Sequence, residues 1–265
     1  MCKAGARNLI DPSAVIDPSA RLADDVTVGP YSIIGADVEI GAGTKIGPHV
    51  VIKGPTRIGP DNTFFQFCSI GEDPQDLKYH GEASRLIIGR GNRFREFCTV
   101  HRGTESDHSE TVIGNDNLFM AYVHIAHDCV IGDHVIFSNS ASLAGHVRVE
   151  DHVVLSGFTL VHQFSRIGAH AFTGMGSWVN RDVPPYVIAA GTYAHAVGIN
   201  KEGLRRRGFS RESIMALNQG FKLLLMGRDR QAGMTAAEAL ADEFPEMQYF
   251  VDFIRASERG VVRKK

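Results

Sequence analysis

An apolar residue recurs at every sixth position through most of this chain, and no other feature restricts its folding as strongly. From Ile10 the step runs through Ile16, Leu22, Val28, Ile34, Ile40, Ile46, Ile52, Ile58 and Phe64 to Ile70. It resumes at Ile88, Phe94 and Val100, and again from Ile113 through Phe119, Ile125, Ile131, Phe137 and Leu143 to Val179. Within this series only Thr173 is not apolar. Glycine often follows the apolar residue, and Pro12, Pro18, Pro30, Pro48 and Pro60 all fall two places after it. Turn residues at a fixed offset mark one corner per unit, so each unit supplies a short strand and a corner. Three units close an 18-residue coil with an apolar side chain pointing inward on each face. This is the hexapeptide pattern of a parallel β-helix. Nearly nine coils at the inter-strand spacing predict a prism roughly 40 Å long.

Two interruptions break the period, at about 72–87 and 102–112. Irregular insertions in a regular solenoid are more often functional than idle. If both are pure insertions, Ile70, Val100, Ile125, Leu143 and Val161 share one face. One corner ladder then reads Glu72, Arg102, His127, Gly145, Gln163, with Gly71, His101, Ala126, Ala144 and His162 one place earlier. Asp128 falls beside His146 on the next coil. The titratable residues thus converge on one corner, centred on the stretch Tyr122-Val-His124-Ile-Ala-His127-Asp128, and mark the candidate site. An imidazole suits proton transfer near neutral pH. Zinc is the rival reading, through His101, His146 or His162; His49, His134, His152, His170 and His195 read as surface corners.

The prolines at 184 and 185 are expected to end the solenoid, giving a β-helical domain over 1–189 and a helical domain over 190–265. Ser210 caps an expected helix to about Met226. Thr235-Ala-Ala-Glu238 reads as a capping box opening a second helix, and Pro245 starts a third ending near Gly260. The charge is uneven: 15 Lys/Arg against 21 Asp/Glu up to residue 186, and 13 against 9 beyond it. The basic tail, with Arg205-Arg206-Arg207, Arg211, Arg228 and Arg230, favours an acidic partner. No run of 18 apolar residues suggests a membrane span, and the N-terminus lacks a secretory apolar core, so a cytoplasmic location is expected. Cys2, Cys68, Cys98 and Cys129 form no CxxC pair; the last three read as small core residues.

The stretches QDLKYHGE (75–82), TVHRGT (99–104), HIAHDCVIG (124–132), LAGHV (143–147), VHQF (161–164), DVPPYVIAAG (182–191) and NKEGLRRRGFSRE (200–212) resemble the UDP-N-acetylglucosamine acyltransferase family. The resemblance spans the solenoid and the tail. It implies a left-handed coil, an exception to the usual handedness of crossovers. It implies transfer of an (R)-3-hydroxyacyl group from acyl carrier protein to the 3-hydroxyl of UDP-N-acetylglucosamine, the first step of lipid A synthesis. By the same resemblance His127 is the general base, Asp128 orients it, and the Gly145 N–H steadies the oxyanion. Gln75, Asp76, Lys78, His124, His146, His162 and Gln163 match positions holding sugar and pantetheine. Asn200, Glu202, Arg206 and Arg207 match positions contacting the nucleotide diphosphate from a neighbouring subunit of a homotrimer. No cofactor, metal or nucleic acid is implied. Met175 stands where long-chain members carry glycine, which predicts a medium acyl chain near ten carbons. An N-acyltransferase of the same pathway and a carbonic-anhydrase-like zinc enzyme are the alternatives.

Overall fold

The computed structural model describes residues 9–264; Cys2 lies outside the described residues. The protein is mainly β, a left-handed parallel β-helix of hexapeptide repeats followed by a small α-helical region. The chain divides into two compact units, one ending at Asp133 and the other beginning at His134.

In the first unit, strands of two to four residues form parallel sheets whose partners lie one coil apart, as in Ile16↔Ile34, Ile40↔Ile58 and Ile46↔Phe64. The register survives both interruptions: Ile70 pairs with Val100, and Val100 with Ile125. The inward residues are buried, and Phe64, Phe94 and Phe119 stack at 4.8 Å centroid spacing through the core. The expected corner ladder is displaced at one point. Gly71 takes φ +77°, a bulge follows Ile70, and Glu72 pairs with His101 instead of Arg102.

The corners have a second regularity that glycine and proline do not mark. The residue three places after the inward apolar one takes a left-handed conformation, and it is commonly aromatic, His or Asp: Tyr31, His49, Phe67, Phe97, Tyr122 and Asp128 among them. Left-handed backbone is unfavourable for such residues, and stacking offsets it here. Tyr31, His49, Phe67, Phe97 and Tyr122 form a continuous ladder with centroids 4.9–5.4 Å apart.

In the second unit Leu143 pairs with Val161 and Val161 with Val179. Thr173, the one polar inward position, is buried; its hydroxyl is 2.8 Å from Thr159 Oγ1 and accepts the Ser156 N–H at 3.0 Å. His134, His152 and His170 are not isolated surface corners but a stacked ladder at 5.0 and 4.8 Å, capped by Tyr186. The two prolines do not end the sheet. Strand Val187–Ala190 still pairs in parallel with Phe172–Thr173, and only then does His195–Ile199 return antiparallel.

Four α-helices follow: α1 (Lys201–Arg206), α2 (Arg211–Phe221), α3 (Arg230–Ala241) and α4 (Pro245–Arg255). The Ser210 cap on α2 and Pro245 at the start of α4 are as expected. α1 was not anticipated, and α3 begins earlier than Thr235: Asp229 is its N-cap, accepting the Ala232 N–H at 3.0 Å. Asp229→Ala should therefore cost about 1 kcal/mol in denaturant titrations. Thr235→Ala, inside the helix and exposed, should cost nothing measurable. The three described cysteines are buried. No described helix is long and apolar enough to cross a membrane.

Candidate active site

The corner formed by His127 and Asp128 follows strand His124–Ile125. Asp128 sits in the left-handed position, φ +59°. His127 Nδ1 and Asp128 Oδ2 are 2.8 Å apart. The imidazole keeps 13 % exposure while the carboxylate has none, so a reactant can reach the ring but not the acid.

Buried charge needs partners, and the second interruption supplies them. Thr104 donates its N–H to Asp128 Oδ1 at 2.8 Å and its hydroxyl to Oδ2 at 2.7 Å, and the Asp128 N–H donates to Thr111 Oγ1 at 2.8 Å. Sequence reasoning missed Thr104. Its only signal was a place inside the TVHRGT motif.

His124 Nδ1 lies 2.8 Å from Thr99 Oγ1, and burial followed by the His127 charge lowers its pKa. His101 meets His124 edge to face at 5.1 Å. Burial, then His124, depresses His101 to about 4. Both rings are therefore mainly neutral near pH 7.

Arg102, 6 % exposed, staples the first interruption to the coil. It donates to the Gly71 carbonyl at 2.5 Å, pairs with Asp73 and reaches the Tyr79 hydroxyl at 3.2 Å. Asp76 caps the local turn by accepting the Lys78 N–H at 3.0 Å. Asp76, Lys78, Tyr79 and Glu82 then line a cavity of about 270 Å³ with Thr104, Glu105 and Ser106. The two interruptions thus share one cavity, and the residue that holds Asp128 is part of its wall. Gln75 is exposed on the same excursion.

In the second unit, the Leu143↔Val161 register aligns Gly145 with Gln163, and the Phe164 N–H donates to the Gly145 carbonyl at 3.2 Å. His146 stacks on Phe164 at 4.4 Å. His162 and Gln163 are exposed. Met175 is 80 % exposed on the turn after Phe172–Thr173. Asn200 is committed at both ends, accepting the Gly203 N–H at 3.1 Å and donating to the His170 carbonyl at 3.0 Å. Glu202 pairs with Arg205 and Arg206 at 2.6 and 3.1 Å. A cavity of about 600 Å³ between α1 and α2 is lined by Lys201, Arg205, Arg211 and Lys222, with Phe209, Ile214 and Met215 as its apolar part.

Metal donors also come together in the first unit, where Asp107, His108 and Asp128 place ligand atoms within 4.8 Å of one another. Both Asp128 oxygens there already accept hydrogen bonds from Thr104.

Comparison with known proteins identifies the family. The family described as Udp N-acetylglucosamine O-acyltransferase, Domain 2, matches residues 182–262, and the bacterial transferase hexapeptide family matches 19–54 and 110–145. The acyl-(acyl-carrier-protein)–UDP-N-acetylglucosamine O-acyltransferase of Ectopseudomonas mendocina is 59 % identical over 255 residues, 96 % of this chain and 99 % of the relative. The same enzyme of Pseudomonas aeruginosa PAO1 is 57 % identical over 262 residues, 97 % of this chain and all of the relative. Among solved structures, LpxA from Acinetobacter baumannii matches with TM-score 0.94 at 47 % identity, covering 97 % of this chain and all of that one. The UDP-N-acetylglucosamine acyltransferase of Francisella novicida gives 0.93 at 40 %, covering 96 % and 94 %. The chain is an acyltransferase and belongs to the acyl-(acyl-carrier-protein)–UDP-N-acetylglucosamine O-acyltransferase family.

Proposed function

We propose that this protein transfers an (R)-3-hydroxyacyl group from acyl carrier protein to the 3-hydroxyl of UDP-N-acetylglucosamine, the first step of lipid A biosynthesis, with His127 as general base. The observation that carries the reading is the chain Thr104–Asp128–His127: a buried carboxylate, fixed by two hydrogen bonds, beside a reachable imidazole. With Nδ1–H donated to Asp128, Nε2 is the nitrogen assigned to accept the proton. It takes the sugar hydroxyl proton as the oxygen bonds to the thioester carbon. The tetrahedral oxyanion is received by the Gly145 N–H, in the role the family resemblance assigns. Collapse breaks the C–S bond, and the leaving thiolate takes the proton from the imidazolium.

Binding roles follow the same reading. Gln75, Asp76, Lys78, His124, His146, His162 and Gln163 are assigned to sugar and pantetheine. Glu202, Arg206 and Arg207 are assigned to the nucleotide diphosphate from a neighbouring subunit. Asn200 belongs with them as a positioning residue, since its amide already caps α1. The basic cavity between α1 and α2 suits the acidic carrier, having four cations and no acid in its lining. The assembly is assigned as a homotrimer. The exposed aromatic ladder supports it, because Tyr31 and Tyr122 are 63 and 59 % exposed and apolar surface of this kind favours burial. We place the protein in the cytoplasm, and the functional boundary at 189/190, between a catalytic β-helix and a helical tail that docks substrate.

The decisive assay combines purified protein, UDP-N-acetylglucosamine and a panel of hydroxyacyl carriers, read by mass spectrometry. No acyl-sugar product would overturn the assignment. Within it, Thr104→Val removes one hydrogen bond to a buried carboxylate and should lower kcat about tenfold, with KM little changed.

A further inference from the structure

One cation close to the proposed substrate positions has so far no role. After α4 the chain turns back to the β-helix as a strap, and Asp182 clamps it. The Asp182 N–H donates to the Gly260 carbonyl at 3.2 Å, the Val262 N–H donates to the Asp182 carbonyl at 2.9 Å, and Ser257 Oγ donates to Asp182 Oδ2 at 2.7 Å. Asp182 is itself 2 % exposed, its Oδ1 accepting the Arg166 N–H at 2.8 Å. The Arg263 guanidinium fastens the far end to the Leu224 and Gly227 carbonyls at 3.0 and 2.7 Å.

The clamp leaves Arg259 over His162, with Nη2 3.1 Å from Nδ1. Among the described residues no carboxylate pairs with Arg259, and its side chain is exposed. The same Nδ1 lies 3.1 Å from the Gln163 carbonyl oxygen. One ring nitrogen cannot donate to that carbonyl and accept from a guanidinium at once. Arginine only donates, so its presence makes Nδ1 the acceptor and puts the ring hydrogen on Nε2. The pair then offers an outward imidazole N–H, the remaining guanidinium N–H groups and one uncompensated positive charge. Two donors and a cation on a fixed strap are the requirements for a phosphate oxygen.

We propose that Arg259 is a specificity residue of the transferase site and, with His162 Nε2–H, binds a phosphate group of a substrate. The inference rests on the function proposed above, under which two sources of that chemistry exist: the phosphodiester of the carrier's arm and the diphosphate of the nucleotide sugar. The guanidinium lies outside the clamp's own hydrogen bonds, so its removal leaves the strap in place.

The test is steady-state kinetics of the wild type, Arg259→Ala and Arg259→Lys, varying each substrate in turn. The loss of one charge-assisted contact should raise a single KM about tenfold with kcat held within about twofold. The lysine variant should recover part of the loss, because it keeps the charge but not the fork. A rise in the carrier KM identifies the phosphodiester; a rise in the nucleotide-sugar KM identifies the diphosphate. If the wild type turns over and neither KM moves in Arg259→Ala, or only kcat falls, the inference is overturned while the function stands. If the wild type makes no product, the function fails and takes the inference with it. Unchanged melting temperatures in both variants show that the strap remains docked.

Discussion

His127→Ala is expected to lower kcat for acyl transfer by about 10²–10⁴, the usual contribution of a general base, while the protein keeps its fold. The inward core positions of this coil, Val123 and Ile125, are fully buried and unchanged by the substitution. What the substitution leaves behind is the buried carboxylate of Asp128, still held by the Thr104 N–H and hydroxyl, with the Asp128 N–H still donating to the Thr111 hydroxyl. Asp128 therefore keeps most of its partners, and the melting temperature should fall little. Asp128→Asn is the informative companion. An amide can still accept from Thr104, but it no longer stabilises the imidazolium or selects the Nδ1–H tautomer, so a smaller loss in kcat is expected. A His127→Ala protein with wild-type kcat and intact fold would end the assignment of His127 as base.

The solenoid was legible because its physics is local and repeated. One inward apolar side chain per six residues is enough to specify a strand, and coil closure makes the register follow by counting. That is why Ile70, Val100 and Ile125 line up across insertions of different length. The bulge that moves Glu72 opposite His101 was not legible, since it depends on a left-handed Gly71 at the mouth of a loop. The left-handed corners also escaped notice. They are occupied by residues that look wrong for them, and the compensating ring stack joins side chains usually 18 or more residues apart.

In the helical tail two N-cap types competed for the start of α3. Asp229 is the one used, and within the first turns of the helix Gly233 comes so close to the Leu223 carbonyl that an added Cβ would lie 2.5 Å from it, a tertiary contact that local cap signals do not reveal. Of the site, His127 and Asp128 were readable because they are adjacent in sequence. Thr104 was not, because it reaches Asp128 from a loop 24 residues away. Arg259 was hidden for the same reason, lying 97 residues from His162.

If Met175 limits the acyl chain to near ten carbons, as the family resemblance implies, Met175→Gly should shift the preferred chain towards fourteen, and the structure gives the substitution room to act. The methionine is 80 % exposed, so packing within the chain does not account for it. Its flanks are fixed differently. Gly174 approaches the Ala190 side chain closely, whereas Gly176, at φ +70°, has open space around it. The thioether therefore projects from an anchored turn. Leu160, Trp178 and Tyr193 are exposed on the same unit, and on this reading they are the apolar surface along which the chain lies. A side chain that ends this surface denies burial to each methylene beyond it. At about 0.8 kcal/mol per methylene, four methylenes amount to roughly 3 kcal/mol, a ceiling of about two orders of magnitude in relative kcat/KM. Partial solvent exposure of the bound chain lowers this, so a change of at least about tenfold in the fourteen- to ten-carbon ratio is the expected outcome of a competition assay with mixed hydroxyacyl carriers. Met175→Leu, of similar volume, should leave the ratio near that of the wild type. Because the position carries no core packing, neither variant should alter the melting temperature, and a ratio unmoved by the glycine would show that the chain ends elsewhere.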